Sequence, residues 1–467
     1  MKTDVGWRFR TKARSSLCGL GLGAGLLCAQ AVDALPFTQT AAVTRATASD
    51  FAGWSVAVGG DWMLVGAPAI GGGPGNVYVY RRNNADGWDY YATITSPDAA
   101  TGDRFGAALA MDGETIVIGS PTATSAGNAN GGRAYLFRHT IVFDPFPPYA
   151  GHDAFVEVAE LLAPTVDIGN ESGFAVAVNG DIAVVGAPYA PRRSGKATYA
   201  AAGFAAVFQR NSGGSNAWGR TVTAVGDLDA NDNFGYAVAV SGASLLIGAP
   251  GARVTPAGTT YHSGRAYFFL VGQNDGSAVY DHYVGTATPA EFRRFGDAVA
   301  IDADVAAVGA PGNAGGYAAS VDVFTGDGSG YQFTKQLTSP QSDTNPNDRY
   351  GAALAVHGPE LVVGAPAETY ASYTNAGEAY IYARDAGSAN FWGLVQPLYL
   401  NDNALQNYYG NNAYIAFGSS IAYDGTTLVG GGPLASYSYA STGAAFAFSN
   451  DPIFASSFDC QPSVICL

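Results

Sequence analysis

"FGYAVAVSGASLLIGAPG", residues 234–251, opens on Phe-Gly, closes on Gly-Ala-Pro-Gly and is mostly small and aliphatic between. The stretch recurs. "FGAALAMDGETIVIGSP" begins at Phe105, "FGDAVAIDADVAAVGAPG" at Phe295 and "YGAALAVHGPELVVGAPA" at Tyr350. Looser copies begin at Ala52 ("AGWSVAVGGDWMLVGAP"), Ser172 ("SGFAVAVNGDIAVVGAP") and Phe417 ("FGSSIAYDGTTLVGGGP"). Alignment on the second letter gives seven copies, at Gly53, Gly106, Gly173, Gly235, Gly296, Gly351 and Gly418, spaced 53 to 67 residues apart. A repeat of that period builds supersecondary units that bury their faces only against neighbouring copies.

Each copy parses into four short strands. "YAVAV" and "SLLIG" flank Ser241-Gly242, and the equivalent sites hold Asp112-Gly113, Asn179-Gly180 and Asp424-Gly425, pairs that supply the positive φ of a two-residue hairpin. After Gly-Ala-Pro comes a variable loop. An alternating third strand such as "RAYFFL" (265–270) or "EAYIYA" (378–383) follows, then a fourth such as "YQFTKQLTS" (331–339). Seven four-stranded antiparallel units predict an all-β, seven-bladed β-propeller. In it, the Phe of Phe-Gly wedges between blades, and its Gly lets backbones approach. The seventh copy has a third strand at 444–448 and no clear fourth. "FTQTAAVTRATASDFAGW" from Phe37 reads as a fourth strand leading into the next copy, so residues 37–44 are expected to close the ring.

The totals agree. Of 467 residues, 62 are Gly and only 13% are charged, too few for helical surface faces or a disordered polyelectrolyte. Residues 1–34 read as a secretory signal: Lys2, Arg8, Arg10, Lys12 and Arg14 precede an apolar run from Leu17 to Leu27, and "AQAVDA" offers cleavage after Ala31 or Ala34. The expected organisation is a signal at 1–34, the propeller at 35–449 and a C-terminal tail at 450–467. Localisation is then secreted or at the cell surface, with no membrane span left after cleavage. Removing residues 1–31 takes five of the 23 basic residues and one of the 38 acidic ones, leaving 18 against 37, a formal −19. Such a surface repels phosphate backbones, which argues against a nucleic-acid partner. Of four cysteines, Cys460 and Cys466 remain, close enough for one small terminal loop in an oxidising compartment.

From residue 37 to residue 448 the copies resemble FG-GAP repeats of the bacterial secreted type, and through them the seven-bladed propeller of integrin α subunits. The resemblance implies extracellular recognition, often adhesion, although propellers host many functions. The integrin propeller carries calcium in an acidic loop between the first and second strands of some blades. Here those strands are joined by turns such as "NG", "DG" and "HGP", too short to wrap six to eight oxygens round calcium. No cofactor is therefore expected. The nearest approach to a calcium loop is "DLDANDN", with Asp227, Asp229 and Asn231, followed by Asp343 and Asp348 ahead of Tyr350. Its sixth position is Asp232 where a sharp turn wants Gly, and Asp and Asn also favour such turns on their own.

Catalytic signatures are missing. The sequence has no H-E-x-x-H, G-x-S-x-G or Walker pattern, and its five histidines lack ligand spacing. The loops after Gly-Ala-Pro are the ones that vary, and they carry tyrosines among small residues, the composition recognition surfaces use. Tyr370, Tyr373, Tyr437 and Tyr439, on blades six and seven, are the candidate ligand-binding patch. The expected function is binding or adhesion to an extracellular protein or glycan through that loop face. Two alternatives stay open. One is a carbohydrate-active enzyme, a glycoside hydrolase or lyase, using carboxylates in the channel. The other is a structural component of a surface assembly.

Overall fold

The computed structural model describes residues 37–450 apart from 45–48, 86, 145–149, 165–166, 228, 256–257, 273–276, 287–288, 313–317, 328–329, 342–346, 371–372, 386–390, 401–413 and 437–441. Residues 1–36, which include the segment read as a signal, and the tail beyond Asn450, with Cys460 and Cys466, lie outside the described residues. Among the described residues no helix is long and apolar enough to cross a membrane.

The repeats become seven four-stranded antiparallel blades. Blade 1 runs outward through Ser55–Gly59, Trp62–Ala67, Asn76–Arg82 and Trp88–Ile94. The innermost strands of blades 2 to 7 are Ala108–Asp112, Ala175–Asn179, Ala237–Ser241, Ala298–Asp302, Ala353–His357 and Ser420–Tyr423. Each lies against the next, and the last lies against Ser55–Gly59, so the seven close a circle. Second strands such as Trp62–Ala67 and Ile182–Ala187 are buried at every residue, which is why they read as unbroken Val, Ile, Leu, Ala and Gly.

The last blade is assembled from both ends of the sequence. Thr38–Val43 pairs antiparallel with Ala444–Ser449, giving blade 7 its fourth strand as expected. A second feature marks this strand as a true member of the set. In blades 1 to 6 the outermost strand carries one extra residue opposite the third strand, for example Tyr91 in blade 1 and Thr334 in blade 5. Thr40 is the extra residue in blade 7. A bulge at that point raises local twist, which lets each sheet splay as it leaves the axis.

The Phe-Gly pair does what its chemistry requires. Phe105 has no exposed surface and packs among Val77, Val79 and Ile94 of blade 1 and Ile116 and Ile118 of blade 2, edge-on to Tyr135 at 5.6 Å. Phe234, Phe295, Tyr350 and Phe417 are equally buried, while the looser copies place Ala52 and Ser172 there. Gly106 has φ +86, and a Cβ on it would lie 2.6 Å from the Asn76 carbonyl oxygen of the preceding blade.

Two features go beyond the sequence reading. The loops after Gly-Ala-Pro in blades 3 and 4 form small ribbons of their own, Arg192–Ser194 with Ala197–Tyr199 and Arg253–Val254 with Tyr261–His262. The outer hairpin of blade 2 has strands of eleven residues, Arg133–Phe143 and Gly151–Leu161, and exposes Ile141 and Phe143 near its end.

Candidate functional site

The registers sort the connections onto two faces. Ser55 pairs with Gly66, Ala67 with Asn76 and Val77 with Ile94, so the Phe-Gly turn, the loop after Gly-Ala-Pro and the link to the next blade share one face. The short hairpins occupy the other.

On the hairpin face the turn residues link blades. The Asp112 carboxylate accepts from the Gly180 N–H (2.6 Å), the Asn179 side-chain oxygen from Gly242 (2.8 Å), the Ser241 hydroxyl from Ala303 (3.1 Å) and Asp302 from Gly358 (2.8 Å). Blades 2, 3, 4 and 5 thus each cap the first turn of their successor.

On the loop face the Phe-Gly motif forms a turn repeated in every blade. The residue after Gly donates its N–H to the carbonyl of the residue before Phe: Trp54 to Phe51, Ala107 to Arg104, Phe174 to Glu171, Tyr236 to Asn233, Asp297 to Arg294, Ala352 to Arg349 and Ser419 to Ala416. Positive φ at the Gly is what the third position of a type II turn demands. The residue before Phe is left-handed in all seven blades, with φ between 51° and 59°, although none is glycine. Non-glycine residues hold that conformation at a cost and only where the surroundings enforce it.

Four of these shoulder residues, Arg104, Glu171, Arg349 and Ala416, line a cavity of about 620 Å³. Phe174 and Tyr236 also line it, with Trp54 and Tyr414 at 43% and 48% exposure. Pro68, Pro121, Pro366 and Pro433, the closing prolines of four repeats, stiffen its wall. Phe174 packs on Tyr236 at 4.7 Å and on Tyr189 at 5.7 Å. Burial pushes the Tyr236 hydroxyl up to about 12. Burial also raises the Glu171 carboxyl, against the opposing pull of the Arg104 guanidinium. Arg294 is committed, ion-paired with Asp297 and lying 5.2 Å over the Tyr236 ring. Among the described residues Arg104 and Arg349 make no side-chain hydrogen bond or ion pair. Deeper along the axis the channel is lined by aliphatic inner-strand residues such as Val58, Met111, Val240 and Ile301, and no carboxylate is among its described lining residues.

The aromatic candidates fall differently from the expected patch. Tyr370 and Tyr373 exchange backbone hydrogen bonds (3.2 and 2.9 Å) and are half-buried against the core between blades 6 and 7, with Tyr370 stacked on Tyr399 at 4.5 Å. Tyr437 and Tyr439 lie outside the described residues. The acidic candidates are engaged by arginine. Asp227 pairs with Arg265, Asp229 stands 3.9 Å from Arg253, and Arg192 donates to the Asp227 carbonyl at 3.2 Å. Asn231 occupies a left-handed turn and donates its N–H to Ala200, and Asp348 is buried. Asp343 lies outside the described residues. Among the described residues no group of three or more His, Cys, Asp or Glu is arranged to hold a metal ion. Sequence reading missed the shoulder arginines, and the signal was present: "DRFG", "RRFG" and "DRYG" put Arg before the motif three times.

The FG-GAP repeat family matches residues 43–80, 88–137, 220–269 and 332–382. The chain carries FG-GAP repeats. All four matches start in the outermost strand of one blade and end in the third strand of the next, so they span the shoulder turn. The copies at Gly173, Gly296 and Gly418 fall outside the matches yet form the same turn. No curated protein matches the chain. Among solved structures, Chaetomium thermophilum Sqt1 is similar at 14% identity and TM-score 0.46, over 85% of this chain and 84% of that one. A protein from Lactobacillus plantarum is similar at 10% identity and TM-score 0.41, over 73% and 83%.

Proposed function

We propose that this chain is an exported binding protein that recognises an extracellular protein or glycan through the loop face of its FG-GAP propeller. The observation that carries the reading is the axial mouth: a preformed cavity with exposed Trp54 and Tyr414 and two uncommitted arginines, in a chain of net charge −15. Concave, mostly apolar pockets with a few convergent polar groups are the usual form of a binding site. The acidic surface argues against nucleic acid.

The test is capture from arrays of glycans and extracellular proteins by the wild type and by W54A/Y414A. The control carries Asp61→Ala and Glu114→Ala on the hairpin face. Asn179 and Ser241 are unsuitable controls because they cap neighbouring blades. Loss of capture in the control with retention in W54A/Y414A places recognition on the wrong face. Export is tested by fractionation, with the mature chain expected to start at Val32 or Leu35; full-length protein in the cytoplasm refutes it.

A further inference from the structure

We propose that the axial mouth binds the carboxylate-bearing ring of an acidic glycan, a uronate unit held by Arg104 and Arg349 with its ring face on the aromatic wall. The inference rests on the reading of the loop face as the recognition face and names the ligand class.

What sets the two arginines apart is their place: both line the cavity without an ion pair among the described residues. Many other arginines are matched to carboxylates, as Arg133 is to Asp98 and Glu160, Arg138 to Glu114, Arg210 to Asp181, Arg265 to Asp227 and Arg384 to Asp304, while Arg82 and Arg192 bond to hydroxyl or carbonyl oxygens away from the cavity. Arg104 feels the Glu171 carboxyl of the same cavity without forming an ion pair with it, which leaves its N–H donors open to a ligand. Arg104 and Arg349 stand on shoulders of blades 2 and 6 and line one cavity. Guanidinium presents a planar fork that matches a carboxylate with two parallel N–H donors.

The remaining lining narrows the class. Glu171 offers an acceptor for hydroxyl groups and repels a second anion, which suits a ring with one carboxylate and several hydroxyls and opposes a densely sulfated polymer. Trp54, Phe174 and Tyr414 supply apolar ring faces. An extended peptide finds no purchase at the mouth, because strand addition needs free backbone donors along a sheet edge. Here the Phe105, Gly106 and Ala107 N–H groups already bond to Pro74, Gly119 and Arg104, and five of the six other shoulders repeat all three bonds.

The experiment is calorimetric titration of the purified chain with tri- to hexasaccharides of galacturonate, mannuronate, guluronate and glucuronate, each beside its carboxyl-reduced counterpart, and with hexaglutamate. At least one uronate series is expected to bind more tightly than about 1 mM and at least tenfold better than its reduced form. R104Q and R349Q are each expected to weaken it tenfold or more at unchanged melting temperature, with R104K and R349K in between. Uronate binding no tighter than 1 mM, equal binding of the reduced sugars, indifference to both Gln variants, or tighter binding of hexaglutamate overturns the assignment. If the arrays yield another ligand lost in W54A/Y414A, the recognition face stands and only the uronate assignment falls. If no captured ligand depends on Trp54 and Tyr414, the reading of the face itself falls.

Discussion

Replacing Phe37 by Ala probes how the ring is locked. Phe37 precedes the closing strand, is 5% exposed, and meets Tyr423 edge-on at 5.8 Å. It packs with Leu398 of blade 6 and Phe448 of blade 7. Its backbone is held twice by Gln396 of blade 6: Phe37 N–H donates to Oε1 (2.8 Å), and Nε2 donates to the Phe37 carbonyl (2.9 Å). Truncating a buried Phe costs about 3–5 kcal/mol, and the lower end suits a site at the start of the closing strand, where neighbours relax. Unfolding entropy of about 2.1 cal/mol/K per residue over roughly 410 residues gives ~0.9 kcal/mol/K, so a loss of ~3 kcal/mol lowers Tm by ~3–4 °C. Thr38→Ala, one residue away and exposed, should shift it by less than ~1 °C. Deleting residues 37–44 uncovers the edge of Ala444–Ser449 and should cause aggregation visible by size-exclusion chromatography, whereas deletion from Asp451 onward removes none of the described contacts. Equal Tm losses in F37A and T38A, or in the two deletions, refute closure by the N-terminal strand.

Three further outcomes are expected. Burial, reinforced by the carboxylates of Asp229 and Asp227 and opposed by Arg265 and Arg253, raises Asp232 from 3.8 to about 7. The native state therefore binds more protons than the unfolded chain between pH 4 and 7, and stability falls as pH rises through that window. D232N removes this slope, so its stability advantage over wild type should be absent near pH 4, grow as pH rises and level off above pH 7; a difference that does not change with pH contradicts the assignment. Gly106→Ala should lose more than ~2 kcal/mol by thermal melts, because its Cβ meets the Asn76 carbonyl oxygen at 2.6 Å. Gly113→Ala, at φ +55 with open space around it, should lose only ~1 kcal/mol, and equal losses defeat the close-approach argument. EDTA should leave Tm unchanged, since arginines already engage Asp227 and Asp229; a drop of several degrees restored by calcium points to a resident metal.

The blades were legible because their determinants are local. Ser241-Gly242 and Asn179-Gly180 mark hairpins a few residues long, and alternation in "RAYFFL" marks a half-buried strand. The closing strand was legible because the seventh copy lacked a partner and residues 37–44 supplied one. The mouth was not, because it exists only after the ring closes: Arg104 and Arg349 stand on blades 2 and 6, three apart around the closed ring, and share no local pattern beyond their place before the motif. Residues read as turn formers proved harder still. Asn179 and Ser241 do form their own turns, but their side chains reach the next blade, a contact that spacing within one repeat cannot reveal. Loop composition likewise does not say that Tyr370 stacks on Tyr399.

The left-handed residue before each Phe separates two duties that most sites combine. Its backbone is fixed by the turn and the wedge behind it, whatever the side chain, as Phe51, Arg104, Glu171, Asn233, Arg294, Arg349 and Ala416 demonstrate within one molecule. The side chain is absent from the turn's hydrogen bond and free to vary in size and sign. The propeller therefore holds seven interchangeable sockets at fixed angular intervals around one axis. Changing the chemistry presented on this face becomes a choice of letters at those positions, with the blades left as they are.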